Sequence, residues 1–485
     1  MLTTAPALKY GTVAHWVAGR RAPGQGERVP VHNPATGTGI AETPLATRPE
    51  VDTAVAAARK AWPAWAATPI KDRVQVLYRY RELLQRRRAE LAALITEEHG
   101  KLLPESDAEI ARAIELTEFA CALPQFATGE VLKVSRGIEC RLERFPLGVV
   151  ASIGPFNFPV MVPHWTIPNA IALGNCLVLK PSERVPLSAL QSAELLAEAG
   201  LPPGVFTVIN GARAAVEALC DHPAIEAVTF VGSTPTAQAV YRRATHSLKR
   251  ALALGGAKNH LVVLPDADPD TTPAAVLGSA IGCAGQRCMA ASVMVAVPRT
   301  EGILEQVCAL ARAAVPGRDY GPVISAAARE RIEQAIGAAV SDGARLLVDG
   351  RGISPAGGEA GFWVGPTILD DVRPDMAIAR EEIFGPVLAV IRAPSLDAAL
   401  DLQAQSPYGN AASIFTRDGG AARELMERAS AGMIGINIGV PVPREPFPFG
   451  GWNASKYGVG DITGRAAIEF FTRAKKTTVQ WGDRF

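Results

Sequence analysis

The chain has 485 residues, and at roughly 150 residues per domain this length corresponds to about three domains. Hydrophobic residues make up 48% and charged residues 20%, an ordinary balance for a globular protein. Because 49 lysines and arginines stand against 48 aspartates and glutamates, the net charge of +1 excludes nucleic-acid binding through bulk charge.

Cysteine and histidine usage predicts neither a disulfide framework nor a metal site. The seven cysteines are odd in number and form no C-x-x-C pair, and the seven histidines form no H-E-x-x-H pattern. The start of the chain has no signal- or transit-peptide pattern, and no apolar run reaches the roughly 18 residues of a membrane helix. We therefore expect a cytoplasmic protein with no membrane or nucleic-acid partner.

Helical patterns precede strand patterns along the chain. Val51–Gly100 has apolar residues at helical spacing and a glycine stop, and a second amphipathic helix fits Glu105–Cys121. From Gly148 onward, short apolar runs alternate with helical segments such as Leu187–Ala199 and Ala212–Leu219. The runs are Val149–Ile153, Leu177–Leu179, Phe206–Ile209 and Val228–Val231. This alternation predicts βαβ units in a doubly wound parallel sheet.

Two further regions complete the predicted organisation. A second α/β segment runs from about Ala253 to Ile436. The tail from Ile468 to Phe485 alternates like a strand but has no partner nearby in sequence, so we expect it to pair elsewhere, for instance across a subunit boundary.

Polar motifs follow the predicted strands, where parallel sheets bind ligands. The first strand runs into GPFNFP, in which Asn157 could be an oxyanion donor or simply a turn former. The second runs into KPSE, in which Lys180 and Glu183 could hold a ribose, or Ser182 could cap a helix. After the fourth, Gly232–Ser233 opens a helix that could receive a pyrophosphate, although no G-x-G-x-x-G is present.

Cys288 differs from the other cysteines because it lies in a polar turn. Gly285 and Arg287 flank it, and a neighbouring guanidinium would favour the nucleophilic thiolate. The alternative is one more buried thiol.

Together these motifs resemble the aldehyde dehydrogenase superfamily over essentially the whole chain, with G-Q-x-C around the nucleophile and E-I-F-G-P in the cofactor site. The resemblance implies that Cys288 and Asn157 are catalytic. It also implies an NAD site made of a larger set: Ile153, Pro155, Phe156, Lys180, Ser182, Glu183, Gly232, Ser233, Leu254, Gly255, Glu382 and Phe384. NAD is favoured over NADP because Glu183 would repel a 2′-phosphate.

The resemblance also implies an α/β fold with a doubly wound, Rossmann-like cofactor domain, a second α/β catalytic domain and a small β extension for oligomerisation. The expected limits are 1–126 and 146–253 for the NAD-binding domain, 254–436 for the catalytic domain, 127–145 and 464–485 for the oligomerisation strands, and 437–463 for a loop over the substrate tunnel. We expect a homo-oligomer, either a dimer or a tetramer.

Within the superfamily, LGGAKNH, RCMAAS and GINIGVPVP look most like the methylmalonate-semialdehyde dehydrogenase branch, which makes acyl-CoA. Ala253 stands where hydrolytic relatives have a glutamate that activates water. Because alanine cannot act as a base, the acyl-enzyme on Cys288 should survive until CoA, the expected co-substrate, accepts the acyl group.

The resemblance also predicts an anionic substrate. Arg112 and Arg287 align with the two halves of a carboxylate clamp, with Phe158 beside them, and two guanidiniums would bind an anionic tail. The alternative for Arg112 is an exposed helix charge paired with Glu115. We expect oxidation of methylmalonate or malonate semialdehyde to acyl-CoA.

Three departures from the branch keep another substrate open. Gln286 stands where glutamate is preferred, and Gln286, His164 and Arg444 could all lie near the substrate. The extra imidazole and the extra arginine would suit a hydrolytic dehydrogenase of a phosphonate or sulfonate aldehyde, with His164 as the base. Alternatively, His164 is a satisfied helix residue and Arg444 is solvated. A non-catalytic scaffold protein is a further alternative, against which the retained Cys288 and Asn157 count.

Overall fold

The computed structural model describes residues 8–480, over which strands and helices alternate. The strands are β1 (His15–Val17), β2 (Arg20–Ala22), β3 (Arg28–His32), β4 (Gly39–Pro44), β5 (Glu130–Ser135), β6 (Ile138–Pro146), β7 (Val149–Ile153), β8 (Cys176–Lys180), β9 (Phe206–Val208), β10 (Ile225–Val231), β11 (Arg250–Leu254), β12 (Asn259–Val263), β13 (Ala291–Ala296), β14 (Arg345–Val348), β15 (Thr367–Asp370), β16 (Val387–Arg392), β17 (Tyr408–Gly409), β18 (Ala411–Phe415), β19 (Met433–Ile436), β20 (Trp452–Asn453), β21 (Lys456–Tyr457) and β22 (Thr472–Gln480).

The α-helices lie between and around these strands. They are α1 (Arg48–Ala67), α2 (Ile70–Arg86), α3 (Arg88–His99), α4 (Leu103–Cys121), α5 (Leu123–Phe126), α6 (Met161–His164), α7 (Ile167–Ala172), α8 (Leu187–Glu198), α9 (Arg213–Asp221), α10 (Thr234–His246), α11 (Thr272–Ile281), α12 (Glu301–Ala313), α13 (Ala326–Ser341), α14 (Ala377–Arg380), α15 (Leu396–Ala404), α16 (Gly419–Arg428) and α17 (Ala466–Phe471).

The helical pattern over Val51–Gly100 corresponds to three helices, α1 to α3. Thr68 and Pro69 separate the first two because Thr68 is extended and Pro69 starts the next helix. Gly100 ends α3 with a φ of 88°, a left-handed conformation that glycine adopts without a steric penalty. The predicted helix over Glu105–Cys121 is confirmed as α4, which starts two residues earlier.

The first large sheet has the order β2-β1-β9-β8-β7-β10-β11-β21. Its five central strands, β7 to β11, are parallel and almost entirely buried, which explains their continuous apolar runs. The chain proceeds from β7 outward through β8 to β9 and then returns to place β10 on the other side of β7. The predicted doubly wound sheet is therefore confirmed, and its strand order reverses between β7 and β10, where such sheets bind ligands.

The second large sheet has the order β14-β15-β16-β13-β12-β18-β19, all parallel except the edge strand β14. Apolar clusters pack on it from both faces. It confirms the expected second α/β unit. The short connection from β11 to β12 joins the two large sheets, so residues 255–258 lie where they meet.

The tail strand β22 pairs antiparallel with β6 of the same chain, from Thr472 opposite Pro146 to Gln480 opposite Ile138. The expectation that the tail pairs with a strand distant in sequence is confirmed, and pairing of its other edge across a subunit boundary stays a prediction. Ile468–Phe471 differs from the prediction because it belongs to α17. The third strand of this small sheet, β5, is exposed along its length. Residues 481–485 of the predicted tail lie outside the described residues.

None of the helices within residues 8–480 has the length and apolar character needed to cross a membrane. Across that same range, no three histidine, cysteine, aspartate or glutamate side chains gather as metal ligands would.

Candidate active site

A cavity of about 1420 Å³, here called the large cavity, opens at the carboxyl ends of β7, β8 and β10. The predicted cofactor residues that line it are Ile153, Pro155, Phe156, Lys180, Ser182, Glu183, Gly232, Ser233, Gly255, Glu382 and Phe384. Leu254 does not line it, since its side chain is buried and its carbonyl accepts a hydrogen bond from the N–H of Gly232 (3.1 Å). Asn157 and Cys288 line the same cavity.

At one end of the large cavity, a buried lysine faces a partly exposed carboxylate. The Lys180 ammonium donates to the carbonyl of Gly211 (2.9 Å) and lies 3.6 Å from Glu183. Burial lowers the pKa of Lys180, and the nearby Glu183 opposes that shift. Ser182 caps no helix; its Oγ accepts from the N–H of Arg184 (3.3 Å) in a local turn. The helix-start alternative for this motif is therefore wrong.

Ser233 precedes the first turn of α10 and is its N-cap residue. Its hydroxyl pairs with that of Thr236 (2.9 Å) and does not accept from the first-turn N–H groups. Ser233, Pro235 and Thr236 all line the large cavity. An anion at this point would meet uncapped N–H groups and the positive end of the helix dipole.

Glu382 and Phe384 lie on the Cys288 side of the large cavity. Glu382 accepts a hydrogen bond from the N–H of Ala257 (2.9 Å), and burial raises its pKa to about 7 against the pull of Lys258 and Arg331. Phe384 has a φ of 53°, unusual for a non-glycine residue, and its ring meets that of Phe156 edge-on at 5.8 Å. Arg331, which lines the cavity beside Glu382, carries no motif that would have identified it.

The turn before Cys288 is built from left-handed residues. Cys283, Ala284 and Gly285 have φ values of 50°, 54° and 70° in succession. The backbone of Gly385 packs directly on Gly285, where a Cβ would overlap its carbonyl oxygen. Such strained turns persist only when the surroundings hold them. Here the side chain of Asn259 helps, since its Nδ2 donates to the carbonyl of Cys288 (2.8 Å).

Burial dominates the chemistry of the Cys288 thiol. It raises the pKa to about 12, with Glu382 acting in the same direction, while the N–H groups of Cys288 and Met289 lower it. Arg287 contributes least, since its guanidinium instead contacts Glu105 (3.2 Å) and the sulfur of Cys283 (3.4 Å). Arg287 therefore favours the thiolate in the predicted direction but only weakly, because desolvation outweighs a guanidinium directed elsewhere.

Hydrogen bonds fix both the side-chain amide and the backbone carbonyl of Asn157. Its Nδ2 donates one hydrogen bond to the carbonyl of Gln286 (2.9 Å), two residues before the nucleophile. Since an amide nitrogen carries two N–H groups, one remains for a substrate oxygen. Its own carbonyl accepts from the Lys101 ammonium (2.6 Å).

Lys101 forms a fully buried ion pair with Glu109 (2.6 Å). Glu109 in turn accepts hydrogen bonds from the N–H groups of Val160 (2.8 Å) and Met161 (3.0 Å). The pair therefore supports the whole segment that carries Asn157. The sequence offered no signal for it, because a lysine after a glycine stop is typical of a solvated turn.

Cys288 also lines a second, smaller cavity of about 50 Å³, here called the small cavity. Of the predicted substrate residues, Arg112, Phe158 and Arg287 line it. The residues missed by the sequence reasoning are Met161, Trp165, Met289, Val440, Val442, Glu445, Phe449 and Thr463. Five of these eight come from residues 437–463, so this segment covers much of the small cavity.

His164 does not reach the small cavity, contrary to its predicted substrate role. It is completely buried, with Nδ1 bonded to the carbonyl of Val160 (2.7 Å) and Nε2 to the hydroxyl of Tyr80 (2.9 Å). Burial lowers its pKa to about 4, so the imidazole is neutral. The alternative of a satisfied helix residue holds, and His164 has no free nitrogen with which to act as a base.

Arg444 and Gln286 also line neither cavity. Arg444 is 62% exposed, outside both cavities, with Glu115 3.7 Å away. Gln286 is buried; its side chain accepts from the N–H of Ile324 (3.0 Å) and donates to the carbonyl of Cys283 (3.2 Å). The glutamine therefore braces the nucleophile turn, and the predicted substrate role of Arg444 is replaced by a solvated position.

The chain is similar to known proteins over nearly its full length. The model of the aldehyde dehydrogenase family matches residues 21–477. A malonate-semialdehyde dehydrogenase of Pseudomonas aeruginosa is 45% identical over 483 residues, 98% of this chain and 97% of that protein.

Two solved structures are similar over nearly the full length. A methylmalonate-semialdehyde dehydrogenase from Oceanimonas doudoroffii has a TM-score of 0.96 at 44% identity, covering 98% of this chain and 99% of that chain. A Sinorhizobium meliloti protein described as a methylmalonate-semialdehyde dehydrogenase, complexed with NAD, has a TM-score of 0.96 at 40% identity, covering 99% of each chain. The family expected from the motifs is confirmed: this chain belongs to the aldehyde dehydrogenase family.

Proposed function

We propose that this chain oxidises a small aldehyde with an anionic tail, malonate or methylmalonate semialdehyde, with NAD as hydride acceptor and CoA as acyl acceptor. The observation that carries the proposal is the position of Cys288, which lines both cavities. One cavity contains the dinucleotide-type ligands, and the other contains the guanidiniums of Arg112 and Arg287.

The residues of the large cavity fit NAD. Lys180 and Glu183 would hold the adenosine ribose, and the uncapped turn after Ser233 would hold the pyrophosphate. Glu382 and Phe384 would hold the nicotinamide ribose and ring. When bound, NAD supplies the hydride acceptor that converts a thiohemiacetal on Cys288 into a thioester.

The protein's own groups perform the addition step. The Cys288 thiol first loses its proton to water in the large cavity. The thiolate sulfur then bonds to the aldehyde carbon while the C=O π bond breaks, and the carbonyl oxygen gains the negative charge. The free N–H of Asn157 and the backbone N–H of Cys288 would stabilise that oxygen. The Lys101–Glu109 pair keeps Asn157 in place, so the donor need not reorganise during the reaction.

Deacylation by CoA is supported by the groups that surround the thioester. Ala253 is buried in β11 and offers no base, and both ring nitrogens of His164 are occupied. A thiolate needs less activation than water. The CoA sulfur would take the acyl group and release the Cys288 thiolate. Because His164 and Arg444 line neither cavity, no observation favours a hydrolytic phosphonate or sulfonate dehydrogenase.

The expected domain roles and assembly remain part of this proposal. We assign 1–126 and 146–253 to the cofactor and 254–436 to catalysis. The strands within 127–145 and 464–485 would join copies of a cytoplasmic homo-oligomer, since the exposed strand β5 presents Val131, Leu132 and Val134 to solvent. Sedimentation of the purified protein would distinguish a dimer from a tetramer.

The function is tested with a substrate panel. Malonate semialdehyde, methylmalonate semialdehyde, propanal and phosphonoacetaldehyde are each incubated with NAD, with and without CoA. We expect NADH absorbance to be highest with the two semialdehydes and acyl-CoA to be detected by mass spectrometry. Rapid release of the free acid without CoA, or a preference for propanal or phosphonoacetaldehyde, would contradict the proposal.

A further inference from the structure

The Arg112 guanidinium already holds a carboxylate. Glu445 lies with its two oxygens 2.7 Å from Nη1 and 3.0 Å from Nη2, which is a two-pronged arrangement. Both side chains are about nine-tenths buried, at 10% and 9% exposure. A bidentate, charge-assisted pair of this kind is among the stronger polar contacts in proteins.

Glu445 therefore occupies the position that the proposed substrate needs. It lines the small cavity together with Cys288 and Arg112, on the segment that covers this cavity. Resting on the proposed function, we propose that Glu445 is a specificity-determining residue: its carboxylate holds the anion site of Arg112 until an anionic aldehyde displaces it. A neutral aldehyde has no negatively charged group to accept the hydrogen bonds of Arg112, and so it cannot displace the Glu445 carboxylate.

A comparison of the two ion pairs shows that Glu445 can be displaced from Arg112 more readily than Glu105 from Arg287. Arg287 pairs with Glu105, but Glu105 also accepts hydrogen bonds from the backbone N–H groups of Cys283 (2.6 Å) and Leu102 (3.0 Å). Within residues 8–480, the Glu445 carboxylate has hydrogen bonds to Arg112 alone. Glu105 is thus anchored by the backbone, whereas Glu445 depends on the single contact that a substrate would replace.

Arg112 would not lose its orientation when Glu445 leaves. Its Nη1 also binds Glu115 (2.8 Å), one helical turn away on α4, and Nη2 donates to the carbonyl of Pro443 (3.3 Å). Glu115 is 47% exposed, so its carboxylate competes less for the guanidinium. The guanidinium is held in place for the incoming anion by these remaining contacts.

The test is the KM of wild type and Glu445→Gln for malonate semialdehyde and for propanal. Glutamine keeps the shape of the side chain but lacks the charge. We expect KM for malonate semialdehyde to fall by about tenfold, the scale of one charge-assisted contact. We expect malonate, used as an unreactive anion, to inhibit more tightly by a similar factor, and KM for propanal to change less than twofold. Glu118→Gln is the matched control, because this carboxylate lies on the same helix, pairs with Arg81 (2.8 Å) and lines neither cavity, and it should change KM for either substrate less than twofold.

Two outcomes would overturn the proposal. A higher KM for malonate semialdehyde in Glu445→Gln would make Glu445 a support for Arg112, and an equal fall for both aldehydes would indicate relief of crowding. Glu445→Ala, checked by thermal unfolding, provides a second variant should the glutamine variant fold poorly. Arg112→Ala separates this idea from the proposed function: if it leaves KM for malonate semialdehyde unchanged, the anionic-substrate assignment itself fails.

Discussion

The two cavities meet at Cys288 but present their polar groups differently. In the large cavity, the first-turn N–H groups of α10 carry no side-chain cap, and Glu183 is partly exposed. In the small cavity, both guanidiniums are already paired, Arg112 with Glu445 and Arg287 with Glu105. The large cavity can thus accept a ligand without breaking strong contacts, whereas the small cavity must exchange one ion pair for another. We therefore expect the large cavity to determine the affinity for NAD and the small cavity to determine the selectivity among aldehydes.

Removing the shared residue has the largest expected effect. Cys288→Ala should abolish NADH formation while NAD binding, followed by fluorescence quenching, stays near the wild-type value, because the thiol contributes to the chemistry and not to the nucleotide contacts. Substantial residual turnover would mean that another group performs the addition.

The raised pKa of the Cys288 thiol, which is partly exposed in the large cavity, predicts a steep pH dependence for its reactivity. Because burial raises the pKa of Cys288 to about 12, the thiol stays protonated at neutral pH, and the thiolate fraction should grow about tenfold per pH unit. The rate of Cys288 alkylation by iodoacetamide, followed by peptide mass spectrometry, should rise about 1000-fold from pH 7 to pH 10. A plateau near pH 8 would instead show that Arg287 stabilises the thiolate.

Removal of the oxyanion donor Asn157 should have the next largest effect on the rate. Asn157→Ala should slow NADH formation in a single turnover by about 10²- to 10³-fold, the loss typical of one oxyanion donor. Asn157→Asp is the informative companion, since it keeps the size but replaces the donor with a negative charge. A change confined to KM would make Asn157 a binding residue.

Changes in the small cavity should be smaller and selective. Arg112→Ala should lower kcat/KM for the semialdehydes by about 10- to 100-fold, corresponding to roughly 1.5 to 3 kcal/mol for a charged hydrogen bond. Propanal should lose little. Arg444→Ala is the matched control, because that side chain is exposed outside both cavities, and it should change kcat/KM less than twofold. An equal loss of kcat/KM for propanal in Arg112→Ala would contradict the proposal that Arg112 binds the anionic tail of the substrate.

The sequence predicted the large cavity better than the small one, for a physical reason. Asn157, Lys180 and Ser233 follow directly on parallel strands, and the carboxyl ends of such strands lie together by topology. Glu445 contacts Arg112 across 333 positions of sequence, and no local pattern reports such a contact. The buried pair of Lys101 and Glu109 spans only eight positions, but a lysine after a glycine stop is typical of a solvated turn, so no sequence signal marks it.

The wrong predictions in the site share one cause: the sequence identifies a residue's type but not the direction of its side chain. His164 and Arg444 carry chemistry that would suit a charged substrate, but one side chain is bonded inside the core and the other points to solvent. Arg287 is adjacent to Cys288 in sequence and directs its charge to Glu105. Adjacency in sequence therefore does not ensure that a charged side chain has a large effect on the pKa of the next residue.

The contact between Gly285 and Gly385 sets a limit for engineering this enzyme. The turn that presents Cys288 and the loop that carries Glu382 and Phe384 touch backbone to backbone, with no side chain between them to absorb a change. Any residue larger than glycine at position 285 would push the two loops apart and shift nucleophile and cofactor ligands together. Substrate range is better altered in the segment that covers the small cavity, where Val440, Val442 and Glu445 line the wall.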